Sequence, residues 1–393
     1  MRARDVVVLF VDSVSRSHFQ SAFRQTTELL RRVNHTATAR VHNFVMAHSL
    51  PCCTKNWFYP AMSGLYAPSA AGRHSPVHAA RTPWVWDHFA ARGFVTHVSN
   101  DACYPSELQD WWRSEDAPLP PNVSDHPMLD TFCKRWPARG ADGEAWLESR
   151  TDGAQYSAAL DRGESICLAG ETLARRHLAQ ALGVLRAYPS APKFVYAALN
   201  DANCRCASGA AHLDVEVARL IAEIGPRLSR TVLIIVSGHG LRSADGFHPS
   251  LHLPLVTVVT PRRMLAELPS AAAALRRNQR RLVSPFDVHA TLRHLGALGG
   301  KAPAAAAAEP PPHPEVARLW DSYRDAFEAN SMLSPLKYAP VPAGGPLGRS
   351  LLVDLPDDRS CGQAGIPDAV CRLRDAREIS LLARRARRPR GPV

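Results

Sequence analysis

Residues 6–11, VVVLFV, form an apolar run without alternation that stops at Asp12. A strand hydrophobic at every position is one covered on both faces, the signature of a parallel sheet between helices. The same pattern returns in KFVYAALND (193–201), TVLIIVSGHG (231–240) and LPLVTVVTP (253–261), with a shorter strand in VHNFVMAH (41–48). Between these runs the apolar spacing is near 3.6. It predicts helices over 17–33, 171–188 and 213–228, one ended by Gly93 before a strand closing near Asp101, and one over 284–298 capped by Ser284 with Pro285 in its first turn. Strand and helix alternate, which predicts an α/β fold: a mainly parallel sheet flanked by helices on both faces. Such sheets bind ligands at the carboxyl ends of their strands, where Asp12, Asp201 and Ser237-Gly238-His239-Gly240 all fall.

The expected organisation is one α/β domain over 1–340. Within it, 110–165 is rich in Trp, Asp and Gly and poorly patterned, an insertion or lid, and 300–315 is a low-complexity loop. Residues 341–379 carry a cysteine motif expected to pack on that domain, and 380–393 form a basic tail.

Composition changes this picture only at the surface. Of the 393 residues 46% are hydrophobic and 21% charged, which is ordinary for a globular chain. The net charge of +11 is mostly arginine; it suits a solvated surface, and equally an anionic substrate, a membrane surface or a glycan. No motif interleaves aromatic residues with that charge, so no nucleic-acid partner is expected. Nine cysteines, at 52, 53, 103, 133, 167, 204, 206, 361 and 371, form no paired CxxC motif at zinc-finger spacing. They point to disulfides in an oxidising compartment, and the sequons at Asn34 and Asn122 agree with a glycoprotein. The first residues enter a strand directly, with no apolar run long enough for a signal or a span. The expectation is an extracellular or secretory-lumen protein whose signal or anchor lies outside this sequence.

In HSLPCCTKNWFYPAMSG (48–64), Thr54 precedes an expected helix running toward Gly64. A helix amino end presents unpaired N–H groups and partial positive charge, which favour an anionic substrate and an alkoxide. A threonine hydroxyl becomes a nucleophile when its pKa is lowered, as a divalent metal does; on this stretch alone a plain N-cap is the competing reading. Asp12, Asp201, His239 and His252 are the candidate ligands, oxygen and imidazole donors suited to zinc, with manganese or calcium as alternatives. Arg16, Lys55 and Arg242 lie beside them and could hold a phosphate or sulfate.

Four segments resemble the DUF229 family, a sulfatase-like branch of the alkaline phosphatase superfamily: VDSVSR (11–16), VSGHGLR (236–242), RRNQRRLVSPFDVHATL (276–292) and RSCGQAGIPDAVC (359–371). The resemblance implies an alkaline-phosphatase-like core and a nucleophile ten residues before a Gly. Counting back from Gly64 reaches Thr54, and Pro60 falls where the family has proline. It also implies Asp12, Thr54, Asp201, His239 and His252 as metal ligands, His252 because LHLP resembles a ligand-bearing Thr-His-Val-Pro segment. Cys361 and Cys371 match a terminal disulfide pair, and Cys133 and Cys167 are a candidate second one. Two departures stand out. Asn200 occupies the place of a family histidine, for which His212 is the candidate substitute, and Gly238 replaces a ligand aspartate. The implied function is metal-dependent hydrolysis or transfer of phosphate or sulfate esters. The alternative is a catalytically impaired ectodomain that binds glycan, lipid headgroup or protein.

Overall fold

The computed structural model describes residues 5–50, 54–64, 84–101, 124–128, 167–168, 170–200, 202, 209–241, 250–300, 348–367 and 370–371. In chain order they form β1 (Asp5–Val11), α1 (Arg16–Ala22), α2 (Arg24–His35), β2 (Ala39–Asn43), α3 (Thr54–Ser63), α4 (Val85–Ala90), β3 (Val95–Asn100), β4 (His126–Met128), β5 (Cys167–Leu168), β6 (Glu171–Thr172), α5 (Leu173–Ala187), β7 (Lys193–Leu199), α6 (Gly209–Ile224), β8 (Thr231–Val236), β9 (Val256–Pro261), α7 (Arg262–Glu267), α8 (Pro269–Asn278) and α9 (Pro285–Gly299). Seven strands make one sheet in the order β2-β9-β8-β1-β7-β3-β4. The block from β8 to β4 is parallel. β9 then runs antiparallel to β8, and β2 antiparallel to β9.

The continuous apolar runs have their cause in this layering. β1 is buried along its whole length. Val6, Val8 and Phe10 face a core shared with α3, α4, α7, α8 and α9. Val7, Leu9 and Val11 face a second core built with α1, α2, α5 and α6. With helices on both faces, Val6–Val11 is apolar at every position; the two acids of this stretch fall at its ends, Asp5 paired with Lys193 and Arg230 and Asp12 just beyond the strand.

Local chemistry shifts several expected boundaries. The helix expected over 17–33 is two helices, broken at Phe23, whose φ −95 and ψ 62 are not helical and whose ring is buried against Phe19. The strand expected over 41–48 ends at Asn43; beyond it the backbone turns to bond the 279–283 segment, His48 N–H donating to the Val283 carbonyl. The run from 231 is strand only to Val236, because Ser237 folds its hydroxyl back to the His239 carbonyl at 2.7 Å. Helices α7 and α8 were not expected; α7 is only six residues long, and α8 buries mainly small alanines, Ala271, Ala272 and Ala274, beside Leu275. Of the 110–165 stretch, His126–Met128 forms the outermost strand, and nearly all the remainder lies outside the described residues, as do 301–347 and 372–393.

Residues 348–371 pack back onto the core. Asn278 donates to the Leu351 and Val353 carbonyls and accepts from Leu355 N–H. Asp287, fully buried, accepts from Arg359 at 2.7 Å, from Arg349 N–H at 2.7 Å and from Ser284 N–H at 2.8 Å. A disulfide joins Cys361 and Cys371, as the motif implied. Residues Cys133, Cys52, Cys53, Cys103, Cys204 and Cys206 lie outside the described residues, and nothing is described of the Cys167 side chain. No described helix is long and apolar enough to cross a membrane.

Candidate active site

Three strand ends and one helix start converge on Asp12. Its N–H donates to the Leu199 carbonyl at 2.9 Å, which ties the end of β1 to the end of β7. The next residue, Ser13, sits at φ 59, a left-handed conformation uncommon for serine. That turn lets Ser13 N–H donate to Asp12 Oδ1 at 2.8 Å. Thr54, half-buried at the first position of α3, donates its hydroxyl to Asp12 Oδ2 at 2.9 Å. Asp12 is wholly buried, so both carboxylate oxygens are directed by named donors.

His239 approaches from the turn after β8, with Nε2 3.7 Å from Asp12 Oδ1. Its Nδ1 lies 2.7 Å from the Gly240 carbonyl, which can only accept, so Nδ1 carries the proton. This leaves Nε2, the nitrogen facing Asp12, without a proton, the arrangement in which an imidazole can serve as a ligand. The gap to Asp12 exceeds a direct hydrogen bond, yet two donors with bonds of about 2.0–2.2 Å can share one ion across it. Ser237 secures the turn: it accepts from Val14 N–H at 2.9 Å while donating to the His239 carbonyl. Gly240 admits no side chain, since a Cβ there would lie 2.2 Å from the Ser250 carbonyl oxygen.

Gly238 lies at the centre. A Cβ on it would be 3.2 Å from Phe10 Cζ, 3.5 Å from Thr54 Cα and 3.6 Å from Asp12 Oδ1. A carboxylate at this position would thus face the same space as Asp12 and Thr54, and its absence is a local deficit of one anionic donor. Among the described residues no group of three or more His, Cys, Asp or Glu is placed to hold a metal ion. What remains is Asp12, with the Thr54 hydroxyl 2.9 Å from its Oδ2 and His239 Nε2 3.7 Å from its Oδ1. These are oxygen and nitrogen donors of the type that could hold a divalent cation.

His252 reaches the same edge because β9 runs antiparallel, so its amino end, with Val256 opposite Val236, meets the carboxyl end of β8. Its Nδ1 sits 3.2 Å from Ser49 Oγ, and its carbonyl accepts from Ser49 N–H, five residues before Thr54. Arg16, half-exposed at the start of α1, lines a small surface depression with Ser17, Val45, Ala47, Ser250, Leu253 and Pro254. Asp201 and Arg242 lie outside the described residues, as does the Lys55 side chain. His212 is exposed in the first turn of α6, the helix that follows β7. Asn34 is half-buried with its side-chain oxygen accepting from Val41 N–H, and Asn122 lies outside the described residues.

The structure adds Asp101, which sequence reasoning used only to end a strand. It is buried at the carboxyl end of β3, and its Oδ1 accepts from the Asn200 N–H at 2.7 Å and Nδ2 at 2.8 Å. Asn200, at the place of the expected family histidine, thus bridges the β7 end to the β3 end. The sequence marks it less clearly than Asp12, because the strand it follows, VTHVSN, is not a continuous apolar run.

A search of curated proteins finds no match. Among solved structures, an alkaline phosphatase superfamily protein from Vibrio parahaemolyticus superposes with a TM-score of 0.47 at 10% identity, covering 77% of this chain and 68% of its own. The zinc complex of the C-terminal periplasmic domain of EcEptC from Escherichia coli gives 0.45 at 14%, covering 75% and 83%. The soluble domain of lipooligosaccharide phosphoethanolamine transferase A from Neisseria meningitidis gives 0.45 at 14%, covering 75% and 88%. At the level of sequence the chain matches DUF229, a family of unknown function, over residues 152–388; the match takes in β8, His239, His252 and Asp287 but begins after Asp12 and Thr54. That match spans more than half of the 393 residues, and the chain belongs to the DUF229 family.

Proposed function

We propose that this protein hydrolyses or transfers a phosphate or sulfate ester, with Thr54 as the nucleophile. The observation that carries the reading is the Thr54 hydroxyl held 2.9 Å from Asp12, itself 3.7 Å from His239 Nε2, at the ligand-binding edge of the sheet. Asp12 orients the hydroxyl and takes the hydrogen bond of its departing proton. The amino end of the ten-residue α3 adds partial positive charge where negative charge develops on Oγ. A divalent cation, zinc foremost with manganese or calcium as alternatives, would be held by Asp12, His239 and Thr54, and would lower the hydroxyl pKa. Oγ attacks phosphorus or sulfur, a Thr54 ester forms as the leaving oxygen departs, and water or an acceptor hydroxyl displaces Thr54 in turn. In this reading Arg16, Lys55 and Arg242 bind the substrate anion, and Asp201 and His252 complete the site. The disulfide supports an extracellular or lumenal setting.

The test is turnover of p-nitrophenyl phosphate, bis-p-nitrophenyl phosphate and p-nitrophenyl sulfate after chelation and after zinc return, in the wild type and in Thr54→Ala. Activity that needs zinc and is lost in Thr54→Ala is expected. Activity indifferent to both overturns the proposal. Gly238 favours a second reading, in which the site binds a glycan, lipid headgroup or protein without turnover; wild-type activity at background with all three substrates would select it.

A further inference from the structure

Residues 24–43 and 262–281 contain ten arginines and two glutamates. They build one edge of the molecule: β2 is the terminal strand, α2 packs on β2, and α7 packs on β2, β9 and α8. Ion pairs absorb part of the charge. Arg31 and Arg32 share Glu28, Arg263 holds Glu267, and Arg277 and Arg281 hold Asp354 and Asp357. Arg40, Arg276 and Arg280 are exposed and meet no acidic group among the described residues. Arg40 and Arg276 converge near the buried His42, whose pKa is pushed down to about 4 by burial and then by these two cations.

Neither stretch contains a Phe, Tyr or Trp, so the edge offers no platform for stacked bases. The exposed large apolar residues of the described chain are Val215 and Val353, too few to enter a bilayer. What the edge offers is a row of guanidinium groups, suited to repeated anionic groups on a flexible soluble chain. The row also leads somewhere. Val45 N–H bonds the Gln279 carbonyl and His48 N–H the Val283 carbonyl, which brings Arg280 beside the segment that enters Thr54 six residues later.

We infer that this edge is a docking rail for a linear soluble polyanion of the sulfated-glycan type, held by Arg40, Arg276 and Arg280. That the rail feeds an ester to Thr54 rests on the proposed function; the docking itself does not. The test is fluorescence anisotropy of a labelled heparin octasaccharide with the full chain, across a salt series. Arg40→Gln/Arg276→Gln/Arg280→Gln is expected to bind about 100-fold more weakly at 0.1 M salt, with a salt slope shallower by about two to three. Arg175→Gln/Arg176→Gln/Arg186→Gln on α5, an equal loss of charge elsewhere, is expected to stay within about threefold of wild type. Equal weakening by the two triple variants overturns the inference, as does equal or tighter binding of a thymidine octanucleotide or of vesicles containing phosphatidylserine. Should the first triple variant fail to fold by thermal melting, phenylglyoxal labelling of the wild type decides, with protection of the three arginines by the octasaccharide expected and uniform labelling refuting. Thr54→Ala binds the octasaccharide as wild type does, so loss of turnover and loss of docking are read separately.

Discussion

Placing an aspartate at position 238 inverts the electrostatics of the site. The backbone permits it, since Gly238 is not among the glycines of positive φ. The side chain enters space bounded by Phe10, which must yield by a few tenths of an ångström from its 3.2 Å contact, and by Asp12 Oδ1 at 3.6 Å from the new Cβ. Two carboxylates then lie about 4 Å apart beside a buried wall. At an effective dielectric constant near 20, their repulsion is about 4 kcal/mol. In the metal-free protein, Gly238→Asp is therefore expected to cost about 2–4 kcal/mol of stability, part of the repulsion being relieved by movement. Zinc reverses the sign, because the added carboxylate becomes a ligand. Its loss or gain should change affinity by more than the roughly 10- to 100-fold of an outer-shell change. At a zinc concentration 100 times its dissociation constant, binding to the native state adds about 2.7 kcal/mol. The assay is urea denaturation of both proteins with chelator and with excess zinc, followed by calorimetric zinc titration. A variant as stable as wild type without metal, and no more responsive to zinc, would falsify the placement of position 238 in a shared cation site.

Other expectations follow from the same geometry. Thr54→Ala lowers turnover by at least about 10³-fold while leaving a zinc-dependent rise in melting temperature, since Asp12 and His239 remain; a fully active variant removes threonine from the chemistry. Lys193 and Asp5, both fully buried and 3.2 Å apart, make a buried pair joined by Arg230, which remains on Asp5 in Lys193→Met; that variant should cost about 1–3 kcal/mol in urea denaturation, and a gain in stability would contradict the pairing. Cys361→Ser/Cys371→Ser opens a loop of sequence separation 10 and should cost about 2.5–3 kcal/mol by the chain-entropy estimate, read by the same method. His97 and His177 are held by burial at about 4 and about 3, below the ordinary imidazole value. The unfolded chain takes up protons first, so stability is complete above pH 6.5 and falls as the pH drops toward 4, by up to about 1.4 kcal/mol per unit for each histidine. Denaturation at pH 7.5, 6 and 5 should show a shallower fall in His97→Gln, and identical slopes would refute the assignment.

The residues that announce the fold are those whose pattern has a single structural cause. The six-residue apolar run Val6–Val11 reads as a doubly covered strand, and the acid that closes it falls at the ligand edge. The direction of β9 carries no such mark, because Val256–Pro261 reads the same parallel or antiparallel, and the position of His252 depends on it. The split at Phe23 was equally hidden, since an apolar residue at helical spacing serves a helix or its break. The meeting of Thr54 with Asp12 joins positions 42 residues apart; the spacing to Gly64 supplied Thr54, but the 2.9 Å contact is a property of packing. Asp101 was hidden because VTHVSN, the strand it follows, mixes polar and apolar residues and does not mark a doubly covered strand end.

The clasp of Arg359 on Asp287 has a consequence for biosynthesis. A chain leaving the ribosome exposes Asp287, and the helix that packs on α3, more than seventy residues before its cation emerges. Until then that acid must either stay hydrated or be neutralised, so α9 cannot settle fully against the helix bearing Thr54. Premature termination anywhere between the two would yield a protein with every strand of its described sheet and an unfinished seat for Thr54.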